Sequence, residues 1–499
     1  MILETDLVNK KIVDESNSGT KQLEFISTMI TEFEASPKRK NMDVATRYYE
    51  NKNDILDAKR MVIGRDPETN QAILMESKTL SNNKLSHNFY KKLIRQKIGY
   101  MLGKPFTLIS VENEDPVAEA MFVAVRQYLG KEFYRMLKNV GRDSIMKGLG
   151  WIQVYYDEEG QLKFKRVPSE EIIPLWADDD HTVLSAVIKK YAIESYDGGS
   201  KTTIKFVEYH TEEKIYYYKY EQGTGKLVVD TDQGENGIGY PFYVKIDEGG
   251  QEKVSPMAWS RIPFIPFKYD PDEQSLLERI KTLIDDYDKK TSGNANNIDD
   301  FPNSTMVIKN YDGASKEEFV HNKNAYRTIF VQGDGDAKAV ETNLYIEEVD
   351  KHLERLRKDI YEFGQGVDTQ NKDIRDTSGV ALRFLYADLD MDCVDWGSET
   401  EAGLMQVIWF VLNDIVKNGG EDYFDVDYNI LFNNDIIVNQ TEVITNCMNS
   451  NGIISPKTIA ANHPWSKNVE AELAGVQQAE EEMLALESQY AKKSTPTAK

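Results

Sequence analysis

The sequence predicts an α+β chain, mainly helical, and three observations carry that reading. Apolar positions recur every three or four residues before residue 150 and after residue 275, whereas from Trp151 to Asp230 they alternate with polar ones. Gly364–Thr377 follows neither rhythm. Loops of about 14 residues are uncommon inside compact domains and are usually functional or disordered.

The 499 residues leave room for roughly three domains. Acidic residues outnumber basic ones, 83 to 60, for a net charge of -23. That balance argues against tight non-specific duplex binding, which depends on Lys and Arg displacing counterions. Cys393 and Cys447 have no motif spacing with each other or with the six scattered histidines, against a disulfide framework or a structural zinc site. The first 20 residues carry acids where a signal peptide has a basic and then an apolar region. The longest apolar run, Leu404 to Val416, is too short to span a bilayer and contains Gln406, Asn413 and Asp414. A soluble protein made in a reducing cytoplasm is expected, with no membrane contact.

In chain order, "HNFYKKLIRQKIGYMLGKP" places Phe89, Leu93, Ile94, Ile98 and Met101 on one helix face, stopped by Gly103 and Pro105. "VAEAMFVAVRQYLGKEFYRMLKNVGRDSIMKGLG" gives two more helical stretches. "WIQVYYDEEGQLKFKRV" reads as a hairpin, and three strands follow, separated by "HTEE" and "EQGTG". Tyr216, Tyr217, Tyr218 and Tyr220 are read as strand residues rather than a base-stacking platform, since strands favour aromatics. "SLLERIKTLIDDYDKKTSGNANN" is an amphipathic helix, and strand-like "STMVIKNYDG" and "AYRTIFVQGDG" lie in the polar segment after it. Ile346, Val349, Leu353, Leu356, Ile360 and Phe363 then form a heptad-like seam. A third, longer helix runs from Ser378 towards Asn418, with Thr377 or Ser378 as N-cap, Gly419-Gly420 as its stop and a bend expected at Gly397. An acidic amphipathic helix closes the chain.

No stretch carries catalytic chemistry. "GYMLGKP" is one residue short of a phosphate loop and has Pro105 where magnesium needs Ser or Thr. "DLDMDCVDWGSE" sets Asp388, Asp390, Asp392 and Glu399 at calcium-loop spacing but has Cys393 at the turn glycine, so it reads as a solvated acidic helix face. Neither a nucleophile elbow nor a zinc-protease motif occurs. The expectation is a non-enzyme with no catalytic residues, no cofactor and no metal.

The order helix, small polar module, heptad-like helix, charged loop, long helix makes a long hairpin with the module at its tip. Together with "NKLSHNFYKKLIRQKIGYMLGKP", "SLLERIKTLIDDYDKKTSGNANNIDDF", "SGVALRFLYADL" and "NGIISPKTIAANHPW", it resembles the siphophage-type phage portal proteins over roughly Asn41 to Glu472. The resemblance implies a homo-oligomeric ring, typically of twelve subunits, around an axial DNA channel at one capsid vertex of the virion. It makes residues 1–40 an N-terminal segment, 41–274 the wing, 275–300 and 344–363 the stem helices and 301–343 the clip. Residues 364–377 become the tunnel loop, 378–420 the long kinked helix, and 421–499 the crown and tail. Implied partners are double-stranded DNA without sequence readout, the terminase packaging motor, head-completion and tail adaptors, and major capsid and scaffolding proteins. Within the loop, Gln365, Asp368, Gln370, Asn371, Lys372, Asp373, Arg375 and Asp376 are the candidate DNA-channel residues. Mixed charge would touch phosphates lightly, and the glycines would supply hinge freedom. Met306, Ile308, Lys309, Tyr311, Tyr326 and Phe330 are the candidate partner-binding residues of the clip. A head-tail adaptor and a nucleotide-driven DNA translocase are the alternatives. The first is usually far shorter, and the second needs a phosphate loop that this chain lacks.

Overall fold

The computed structural model describes residues 19–66, 68–77, 80–111, 115–197, 199–247, 252–300, 305–309, 334, 336–340, 346–370, 379–432, 440–463, 465–466, 469, 472–479 and 483. Helix and strand are mixed, and none of the sheets among these residues closes into a barrel.

Two helices, α1 (Gly19–Ala35) and α2 (Pro37–Tyr49), open the described chain, the second capped by Ser36. The hairpin β1 (Met61–Arg65) and β2 (Ala72–Glu76) follows, inside a region expected to be helical. Then come α3 (Phe89–Met101), β3 (Thr107–Ser110) and α4 (Pro116–Lys147). Backbone torsions at Gly130, φ 61° and ψ -177°, divide α4 into two helices.

The expected hairpin is β4 (Leu149–Tyr156) with β5 (Leu162–Val167), and Asp157 accepts the backbone N–H groups of Glu159 and Gln161 in its turn. A larger antiparallel sheet follows: β6 (Ile172–Trp176), β7 (Leu184–Asp197), β8 (Ser200–His210), β9 (Ile215–Tyr220) and β10 (Leu227–Val229), in chain order across the sheet, with β11 (Ile238–Gly239) also on β9. Phe25, Ile26 and Ile30 of α1 pack on this sheet beside Tyr218, whose hydroxyl donates to Gln22 at 3.0 Å. Tyr216 and Tyr220 pack against the same cluster, as strand residues should.

The hairpin β12 (Phe242–Asp247) and β13 (Glu252–Met257) leads to β14 (Phe264–Lys268), which pairs with β4. The resulting three-stranded sheet shares one cluster with the large sheet, through Trp151, Trp176 and Val187, and a second with the helices. The helical side is α3, α4, α5 (Leu276–Asp300), α6 (Ile346–Phe363) and α7 (Gly379–Lys417). Between α5 and α6 lie β15 (Thr305–Lys309) and β16 (Asp336–Val340), paired antiparallel. The pairing partner of β15 is thus residues 336–340; of the strand-like piece at 325–335, all but Asp334 lies outside the described residues. After α7, β17 (Tyr428–Leu431) returns to pair with β3, and α8 (Gln440–Asn449) and α9 (Pro456–Asn462) follow.

Helix α5 changes character along its length. Leu276, Leu277, Ile280 and Ile284 are buried apolar residues, but the next buried positions are Asp288, Ser292 and Asn296. These polar side chains, with Asp300, accept the backbone N–H groups of His87 (3.0 Å), Leu85 (2.9 Å), Asn83 (2.6 Å) and Ser81 (2.7 Å) in turn. Four helical residues rise about 6.0 Å and two extended residues about 6.6 Å, so helix and strand-like segment stay in step. Asn53 adds a bond to Asp288 at 2.7 Å. The ladder satisfies backbone donors that have no sheet partner.

α7 passes through Gly397 as uninterrupted helix. A Cβ at Gly403 would lie 2.7 Å from the Phe267 ring of β14, whereas one at Gly397 would meet only Met101 and Phe432 at ordinary contact distance, 3.7 Å and beyond. Gly403 is therefore a packing requirement. Gly403→Ala should destabilise the fold by about 1–3 kcal/mol through overpacking, while Gly397→Ala should be neutral or add about 0.5–1 kcal/mol of helix stability. Denaturant unfolding of the two variants checks the contrast; equal losses would count against it.

Candidate nucleic-acid interface at the α6–α7 loop

α5 and α6 pack antiparallel: Asp286 bonds His352 at 3.0 Å, and Arg279, nearer the start of α5, reaches Gln365 just beyond the end of α6. Leu356 and Ile360 of the predicted seam are buried, while Phe363 at its end is 56% exposed. The loop after α6 therefore begins beside the first turns of α5, roughly 30 Å by helix rise from Asp300.

Its first half is a fixed root. Arg357 holds Asp368 through two bonds, Nε to Oδ2 at 2.6 Å and Nη2 to Oδ1 at 2.7 Å, and Asp368 also accepts the N–H of Gln370 at 3.0 Å. The Asp368 carboxyl lies below its usual range, chiefly because of the Arg357 bond. Gln96 of α3 bonds both backbone groups of Val367, at 2.7 and 3.2 Å, and Val367 is buried. Gln365 has φ 48°, a left-handed conformation uncommon for a side-chain-bearing residue. Lys97 Nζ donates to its carbonyl at 3.0 Å and Arg279 to its side-chain oxygen at 3.0 Å.

The glycines correct one expectation. Gly364 and Gly366 are absent from the positive-φ glycines, and an added Cβ would collide with Leu93 of α3, at 2.7 and 2.2 Å. They permit close approach here, where hinge freedom was expected. Of the candidate loop residues, Gln365 and Asp368 are tied down and Gln370 is exposed. Asn371, Lys372, Asp373, Arg375 and Asp376, like the N-cap candidates Thr377 and Ser378, lie outside the described residues. Of the residues expected in the clip, Met306, Ile308 and Lys309 lie in β15, where they pair in register with Ala339, Ala337 and Asp336 of β16. Tyr311, Tyr326 and Phe330 are outside the described residues.

Beneath the root lies a charged cluster that sequence reasoning missed. Lys97 is fully buried and pairs with Asp392 of α7 at 2.6 Å. Arg279 bonds Asp392 at 3.1 Å and Asp270 at 2.5 Å, and the Tyr269 hydroxyl donates to Asp392 at 2.7 Å. Two cations face two carboxylates, so the cluster is neutral. Burial pulls the Lys97 ammonium below its ordinary value, with Asp392 opposing. The solvated acidic face is thereby overturned at Asp392. Asp388 remains exposed, and Asp390 accepts the Tyr100 hydroxyl at 2.7 Å. Burial also pushes the Cys393 thiol up to about 12, as for a packing residue. Among the described residues no group of three or more His, Cys, Asp or Glu is placed to hold a metal, and no helix is long and apolar enough to cross a membrane. A signal was present: Lys97 stands four residues after Leu93 and Asp392 three after Leu389, both in core phase.

Residues 34–486 match the family described as "Phage portal protein, SPP1 Gp6-like". The chain belongs to that portal family. The portal protein of Bacillus phage SPP1 is 30% identical over 492 residues, covering 98% of this chain and 91% of the relative. The portal protein of Clostridium phage phiCD119 is 28% identical over 449 residues, covering 87% and 91%. A solved "Neck of empty GTA particle computed with C6 symmetry" contains a chain 10% identical, with 75% of this chain and 90% of that one covered at a TM-score of 0.40, a likeness too loose to add to the portal assignment.

Asp392→Asn should cost about 3–5 kcal/mol, because it leaves Lys97 buried without its counter-charge. Adding Lys97→Met should recover part of that loss. Thermal and denaturant unfolding of the single and double variants measures the coupling, and strictly additive losses would show that the two groups act independently.

Proposed function

We propose that the chain assembles as a ring, typically of twelve copies, whose axial channel passes and retains double-stranded DNA at one vertex of the capsid. In that reading α5 and α6 are the stem, residues 301–343 the clip, 364–377 the tunnel loop and 378–420 the long helix. Residues 41–274 form the wing and 421–499 the crown and tail. The clip docks the terminase packaging motor and later the head-completion and tail adaptors, while major capsid and scaffolding proteins surround the ring. The protein performs no catalysis itself.

The observation carrying this reading beyond family membership is the anchored root of the loop. Side chains from α3, α5 and α6 converge on Gln365–Asp368, and Asp392 of α7 holds the Lys97 and Arg279 that do so. A contact repeated around a ring needs that constancy, because each copy must present the same groups at the same radius. Sequence readout is not required, since backbone phosphates carry no sequence information.

Class averages of the purified protein should show rings with a central hole of duplex width, without ATP hydrolysis. Replacing Gln370–Asp376 by a short Gly-Ser linker should leave the rings intact and lower the fraction of DNA-filled heads. A protein that stays monomeric at all concentrations would overturn the proposal, as would normal filling and retention with the replaced loop for the loop's assigned role.

A further inference from the structure

α3 has two polar faces with opposite uses. Lys97 from within the core and the half-buried Gln96 hold the loop root, whereas Lys91, Lys92 and Arg95 remain on the outer side. None of these three has a carboxylate within ion-pair distance among the described residues, although most nearby cations do, Lys97, Arg279 and Arg357 included. The ammonium groups of Lys91 and Lys92 stand over the rings of Tyr49 and Tyr361, at 5.0 and 5.1 Å, which places them without neutralising them. Lys92 also lies 3.4 Å from the Thr369 hydroxyl, so this strip and the loop share one side of the molecule. With Asn88 and Gln96 the three side chains line a shallow depression open to solvent. Lys91 and Lys92 fall in the first turns of α3, where the helix dipole disfavours cations.

Cations without a carboxylate partner among the described residues, kept in an unfavourable place in a chain with a net charge of -23, point to an anionic partner from outside the subunit. We propose that Lys91, Lys92 and Arg95 form a second contact for the phosphate backbone of duplex DNA, beside the α6–α7 loop. The inference rests on the channel reading, since it places the strip on the lumen side together with the loop. Repeated around a ring, it makes a collar of cations fixed on a rigid helix. Such a collar attracts phosphates without sequence preference and loosens with salt.

The test uses full-length rings and two fluorescent 30-bp duplexes of unrelated sequence. Combined Lys91→Gln, Lys92→Gln and Arg95→Gln should leave rings intact, weaken binding to both duplexes at least about tenfold and make its salt dependence shallower. The charge-conserving set Lys91→Arg, Lys92→Arg and Arg95→Lys should bind as the parent does. Unchanged affinity and salt slope in intact neutralised rings overturns the strip. Loss of the ring in the neutralised set alone also overturns it, assigning these cations to a neighbouring copy. Rings with the Gln370–Asp376 replacement separate the two readings: if they lose binding while the neutralised strip does not, the channel stands and the strip falls. If parent rings bind neither duplex, both fall.

Discussion

The buried pairing of Lys97 with Asp392 is the constraint from which the loop region is built. An ammonium that is wholly buried is tolerable only if its charge is met and its donors are used. Asp392 meets the charge, and the Gln365 carbonyl takes another donor. One lysine thus ties α3 to α7 and to the first loop residues, and Arg279 adds α5 to the same carboxylate. Displacing any of the helices would strip a buried charge of its partner. A neutral pair of apolar residues would hold the helices with less desolvation cost but would not fix the backbone of Gln365. The left-handed torsion there is held by two charge-assisted bonds.

This arrangement reconciles a strongly acidic chain with the proposed DNA-handling role. Among the described residues, cations near the loop divide into those consumed internally, Lys97, Arg279 and Arg357, and those on the outer side of α3 that have no carboxylate partner. The internal ones set geometry and neutralise the carboxylates they hold, Asp392, Asp270 and Asp368. Lys91, Lys92 and Arg95 stand beside the loop with no such partner among the described residues, in a molecule that is negative overall. A weak, patterned attraction suits a strand that has to move, because grip and sliding both depend on how many phosphates are held at once.

Much of the fold was legible in local rhythm. The periodicities of α5, α6 and α7 and the alternation of β4 and β5 follow from which face meets a core, and they stand where the sequence placed them. Features set by distant partners were hidden. β3 depends on β17, more than 300 positions away, and nothing within Thr107–Ser110 announces it. Asp288, Ser292 and Asn296 look like the solvent side of a failing amphipathic helix until an extended segment is laid along them. Gly364 and Gly366 were misread because sequence cannot distinguish a glycine needed for torsion from one needed for clearance. Lys97 and Asp392 were passed over as ordinary helix charges although their phase placed them in the core.

The ladder between α5 and residues 81–87 has a mechanical consequence. Its four backbone bonds lie side by side along the helix, each roughly crosswise to the axis. A force applied along that axis at the far end of α5 loads all four in shear, so that they share the tension and must yield together. A force pulling the extended segment sideways meets them one after another and peels them with little effort. The joint is stiff in the direction of the long axis and compliant across it, an anisotropy that a purely apolar seam, able to slide under the same load, would not have.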